Sequence, residues 1–112
     1  MFAESQSEIV KAIANHVREP WDTVKLNVEI GDVCGSETVS ELGHFYAGNK
    51  KEQIILNIRL RGLFRELRKA MANNDAENKL WSSCDLNISS DGEYSFDFSY
   101  EPPKRITGLA NA

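Results

Sequence analysis

Residues 81–101 read WSSCDLNISSDGEYSFDFSYE. In the first part, Cys84, Leu86 and Ile88 alternate with Asp85 and Asn87. In the second, Tyr94, Phe96, Phe98 and Tyr100 alternate with Ser95, Asp97, Ser99 and Glu101. Successive side chains of an extended chain point to opposite faces, so this period of two predicts strands over 81–89 and 93–101, each with a dry and a wet side. Ser90-Asp91-Gly92 stands between them, and an Asp-Gly pair flanked by alternating apolar residues is a strong hairpin signal. Pro102-Pro103 ends the pairing, because proline supplies no N–H to a ladder.

The same period appears upstream over 21–31, where Val24, Leu26, Val28 and Ile30 alternate with Lys25, Asn27 and Glu29. Gly31-Asp32 and Gly35-Ser36 predict a turn or short loop. A second strand is expected over about 37–46. Val39, Leu42 and Phe45 fall three apart there with Gly43 between them, a spacing that a bulge would reconcile with a strand. Gly48-Asn49-Lys50-Lys51 predicts a turn and 53–56 a short third strand. Two segments change to the helical period. Ile9, Val10, Ile13 and Val17 form one stripe over 4–18, where Ser5 and Glu8 have the spacing of a capping box. Leu60, Leu63, Phe64, Leu67 and Met71 form another over 57–74.

The element order is therefore α-β-β-(β)-α-β-β. It predicts an α+β fold with two helices packed on one face of a four- or five-stranded antiparallel sheet. One domain is expected over 1–112, with an ordered core over about 4–103 and a loosely held tail over 104–112.

The chain has 112 residues, of which 41% are hydrophobic and 27% charged, within the ordinary globular range. Its net charge of −4 opposes non-specific nucleic-acid binding and favours basic partners. The apolar runs are far shorter than the roughly 18 residues a membrane span needs. The N-terminus lacks a basic start followed by an apolar stretch, so a cytoplasmic protein is expected, with Cys34 and Cys84 as free thiols.

Catalytic and metal chemistry find no support. His16 and His44 sit in no recognised motif, and there is no Gly-x-Ser-x-Gly elbow, no Cys-x-x-Cys and no His-Glu-x-x-His. The glycines are too sparse for a phosphate fingerprint. No enzyme, metal or cofactor is expected. A small active site assembled from His44, Cys34 and Glu41 would need a deep pocket. The second helix is locally basic, with Arg59, Arg61, Arg65, Arg68 and Lys69 against Glu66. That composition allows a nucleic-acid-binding regulatory domain as the alternative function, but the overall acidity and the lack of interleaved aromatic residues favour a solvated helix face. The wet side of the sheet offers another candidate. Parity places Lys25, Asn27 and Glu29, then Asp85 and Asn87, then Ser95, Asp97, Ser99 and Glu101 on it. Glu29, Asp85, Asp97 and Glu101 against Lys25 predict an acidic docking surface for a basic partner.

Several stretches, in this order, resemble the YezG-like family of bacterial immunity proteins. They are Trp21 with the strand Val24–Ile30, then Phe45-Tyr46, then Leu63-Phe64-Arg65-Glu66-Leu67-Arg68. The hairpin follows: Trp81, Leu86-Asn87-Ile88, and Asp91 through Tyr100. The resemblance covers about residues 9–101, and Gly43 and His44 dilute the family's aromatic-rich second strand. It implies an immunity protein of a polymorphic or contact-dependent toxin system. Such a protein binds the C-terminal domain of a cognate toxin, often a nuclease, and neutralises it in the cytosol without chemistry of its own.

Overall fold

The computed structural model describes residues 2–110. Its elements are α1 (Ala3–His16), β1 (Thr23–Val33), β2 (Ser36–Ala47), β3 (Lys50–Gln53), α2 (Ile58–Asn73), β4 (Ser83–Ser89), β5 (Tyr94–Ser99) and α3 (Lys104–Ala110). The five strands form one antiparallel sheet in the order β3-β2-β1-β4-β5. The α+β fold predicted from the alternation is the one observed, with β3 as the fifth strand.

β1 lies at the centre. Val24, Val28 and Ile30 are completely buried, and Leu26 nearly so. They join Cys84, Leu86 and Ile88 of β4, Phe45 of β2, Ile9 and Ile13 of α1 and Leu60, Phe64 and Leu67 of α2 in one apolar cluster. The two helical stripes thus cover one face of the sheet, the inner face. Burial of a Phe- or Leu-sized side chain is worth about 1.5–3 kcal/mol, so this cluster supplies most of the favourable free energy of folding. Asn57 starts α2: its side chain accepts from the Leu60 N–H at 2.8 Å and satisfies one of the orphan donors of the first turn.

Besides the third strand, expected over 53–56 and found at Lys50–Gln53, local expectations needed revision at four places. The Ser5–Glu8 pair does not cap α1, which starts at Ala3 with no side-chain cap. Gly31-Asp32 is not a turn. β1 runs on to Val33, and Cys34 (φ 52°) and Gly35 (φ 84°) make the two-residue connection to β2. Two central residues with positive φ are what a tight hairpin twist requires. The β1–β2 register is unbroken from Thr23↔Tyr46 to Val33↔Ser36, so no bulge is present. Val39 and Phe45 point inward, whereas Leu42 points outward and is 50% exposed.

The fourth revision concerns the tail. Over 104–110 the segment expected to be loose is α3; residues 111–112 lie outside the described residues. α3 packs on the outer face, opposite the other two helices. Its Ile106 is buried, and a Cβ added to Gly31 would meet Ile106 and Pro103 side-chain atoms at 3.5 Å. The expected pair of helices on one face is therefore joined by a third on the other.

Candidate docking face

Cross-strand pairing fixes which side chains share the outer face. Lys25 pairs with His44 and Asn87, Asn27 with Leu42 and Asp85, and Glu29 with Ser40 and Ser83. Asp85 in turn pairs with Asp97, and Asn87 with Ser95. Directly paired residues project to the same side, so the structure brings together Lys25, Asn87, Asp85 and Asp97 as their parity predicted. It adds Leu42, His44 and Tyr46 from β2, whose weaker alternation hid them in the sequence.

Glu29 and Glu101 do not join this group. Glu29 is only 6% exposed. One of its carboxylate oxygens accepts from the backbone N–H groups of Arg105 at 2.9 Å and Ile106 at 3.2 Å. These are first-turn donors of α3, left without helical acceptors and favourable to a negative charge. The Arg105 guanidinium stands 3.7 Å from the other carboxylate oxygen and donates to Ser40 Oγ at 3.0 Å and to the carbonyls of Asn27 and Ser40. Glu29 is thus a cap that pins α3 to the sheet, and no local sequence signal links it to a helix 76 residues away. Glu101 lies beyond the end of β5, where its carbonyl accepts from the Ser82 hydroxyl.

With those two acids removed, the open part of the outer face is divided in charge rather than uniformly acidic. Toward β5, Asp85 and Asp97 are exposed and directly paired across strands. Among the described residues neither makes a salt bridge, and Asp85 accepts from Asn27 Nδ2 at 2.8 Å. Toward β3, the ammonium groups of Lys25 and Lys51 flank the Tyr46 ring at 6.0 and 5.9 Å from its centroid, at the reach of a cation–π contact. Between these halves runs a shallow trough of about 430 Å³. Leu42, Asn27 and His44 form part of its lining, and Lys25, Asp85 and Asp97 stand around it.

The competing constellations fare differently. Arg61 is paired with Glu41, with closest approach 2.6 Å, and Arg65 and Arg68 both approach Glu37 at 3.3 Å. Arg68 also donates to the Trp81 carbonyl at 2.6 Å, and its burial lowers its pKa. Three of the helix cations thus serve the fold, leaving Arg59 and Lys69 exposed. His44, Cys34 and Glu41 do not converge. Cys34 sits in the turn before β2, while His44 and Glu41 point to opposite faces. Cys34 and Cys84 are free. Burial, reinforced by the charges of Asp85 and Asp97, pushes the Cys84 thiol up to about 12 and keeps it protonated and inert. Among the described residues no three His, Cys, Asp or Glu side chains are grouped to hold a metal ion, and no helix is long and apolar enough to cross a membrane.

A family model described as "Immunity protein YezG-like" matches residues 39–105, more than half of the chain. The match runs from within β2 to the start of α3 and leaves α1 and β1 outside it. No curated protein matches the chain.

Proposed function

The chain belongs to the YezG-like immunity protein family, and we propose that it binds the C-terminal domain of a cognate bacterial toxin one-to-one and neutralises it through the open part of the outer sheet face. The observation that carries the choice of face is the exposed Asp85–Asp97 pair, two like charges set side by side. Like charges directly opposite one another destabilise a sheet, so the arrangement is costly to the isolated protein and is relieved by an incoming cation. A basic toxin surface, such as the phosphate-binding groups of a nuclease, supplies that cation. Lys25 and Lys51 offer donors at the other end, and Leu42 an apolar centre, with Asn87 as a neutral hydrogen-bonding neighbour of the acids.

An interface of standard size, about 1,600 Å² in total, would extend beyond this trough to neighbouring loops. Inhibition then needs only occlusion of the toxin's site, in the cytoplasm of the cell it protects. It calls for no enzymatic activity and no cofactor in this chain.

The test uses a toxin domain encoded beside the gene, co-purified with this protein. Charge reversal in Asp85→Lys and Asp97→Lys is expected to slow association by about tenfold at low salt, with the deficit shrinking as salt screens the attraction. Stopped-flow association at two ionic strengths reads this directly. Unchanged association in both variants would move the docking site off this face.

A further inference from the structure

The two edges of the sheet are built differently. β3 is four residues long, and Lys50, Lys51, Glu52 and Gln53 are all exposed. Short strands carrying lysine are how proteins discourage further pairing. β5 forms the other edge with Tyr94-Ser-Phe-Asp-Phe-Ser99, without lysine, arginine, proline or glycine. Its Tyr94, Phe96 and Phe98 line the inner side of that edge. Tyr94 meets Phe96 edge-on at 5.8 Å, Phe96 stacks on Phe98 at 6.1 Å, and Phe98 packs on Trp81 at 5.4 Å. Tyr94 remains 39% exposed.

We infer that β5 pairs with β5 of a second copy of this chain, antiparallel about a two-fold axis at Phe96, joining the two sheets into one. The hydrogen-bond phase carries the first part of the case. Ser89 N–H donates to Glu93 O at 2.8 Å, and such pairs recur at every second residue of an antiparallel ladder. Ser95 and Asp97 therefore direct their backbone groups to β4, whereas Tyr94, Phe96 and Phe98 direct theirs outward. Pairing about Phe96 sets Phe96 against Phe96 and Tyr94 against Phe98, so the outward N–H and C=O groups of all three residues find partners.

Charge selects this register over its neighbours. A two-fold at Phe96 sets Asp97 opposite Ser95 and Glu93 opposite Ser99, so each carboxylate meets a hydroxyl donor. A shift of the axis to Ser95 opposes Glu93 to Asp97, and a shift to Asp97 opposes that residue to itself. Both alternatives place acid against acid, which a sheet disfavours. On the inner side the register closes the aromatic row across the seam. The occupant is a second copy because the strand complements itself in both backbone phase and charge. The inference does not depend on the toxin reading.

The experiment is sedimentation of the full chain, 12.6 kDa as a monomer, across about 10–500 µM, the range suited to a small interface. A concentration-dependent dimer is expected. Ser95 is exposed, so substitutions there leave the core intact. Ser95→Asp sets carboxylates against Asp97 twice in the dimer and is expected to weaken it about tenfold. Ser95→Lys creates two opposite-charge pairs and is expected to tighten it, and the swap Ser95→Asp with Asp97→Lys to restore it. A wild-type chain that stays monomeric throughout, or Ser95→Asp and Ser95→Lys shifting the equilibrium in the same direction, overturns the proposal.

Discussion

The two faces of this sheet share strands, register and even single residues' neighbours, yet they are stabilised by different physics. On the inner face, Val24, Val28 and Ile30 are sealed by α1 and α2, and stability comes from area removed from water. On the outer face, among the described side chains, α3 is held by the buried Ile106 and by a small set of directed bonds around Glu29 and Arg105. Area is forgiving of detail and indifferent to where in the chain it comes from. Directed bonds fail one at a time, and each failure is local.

Substitutions on the two faces sharpen that contrast. The largest effect is expected from Phe64→Ala at a fully buried inner position, where the lost transfer energy and the cavity together cost about 3–5 kcal/mol. Urea denaturation monitored by far-UV circular dichroism would read it as a loss of global stability, with every element destabilised together. A cost below about 1 kcal/mol would mean that the inner face is not a single cooperative core.

Glu29→Ala comes next. It leaves the Arg105 and Ile106 N–H groups without acceptors, at about 1–3 kcal/mol. Hydrogen exchange is expected to accelerate selectively over 104–110 while β1 and β4 stay protected. Uniform acceleration would show that the outer face is coupled to the core as tightly as the inner one.

The smallest effect is expected from Asp85→Asn, which retains the acceptor for Asn27 Nδ2 and removes one of two facing charges. Thermal unfolding should show a gain of a few tenths of a kcal/mol, fading with added salt. A loss of stability instead would mean that the acid pair is held by a favourable local field, removing the strain that motivates a basic partner.

The same contrast explains what could be read from the sequence. The inner face was legible because its signal is periodic. Residues 24–30 and 84–88 state their orientation by alternation alone, and the stripes of α1 and α2 do so at the helical period. The outer face was legible only where hydrophilic residues sat in phase with a clear inner partner, as Lys25, Asp85, Asn87 and Asp97 do. Leu42 misled because it is apolar and yet faces out, which broke the alternation of β2 and suggested a bulge that is absent. Gly31 read as a turn because glycine commonly marks one. Here it continues β1 as an ordinary strand residue under α3, where even an added Cβ would stand at normal contact distance, 3.5 Å, from Ile106 and Pro103. α3 offered too short a stripe to register, and its anchor, Glu29, is set by tertiary contact rather than by any local pattern. The loop expected between Gly31-Asp32 and Gly35-Ser36 narrows to Cys34-Gly35, because β1 continues through Gly31 and Asp32.

That hairpin has a consequence for chain topology. β1 and β2 pair along their whole lengths across two connecting residues, whereas β4 reaches β1 only after the roughly fifty residues between Val33 and Ser83 have looped back. Loop entropy rises with the logarithm of length, so bringing β4 home costs about 3 kcal/mol more in chain freedom than closing β1 on β2. It also means that lengthening the 74–82 connection is cheap, since a doubling of that long loop adds only about 0.6 kcal/mol. One added residue at Cys34-Gly35 would instead disturb the register of two long strands at once.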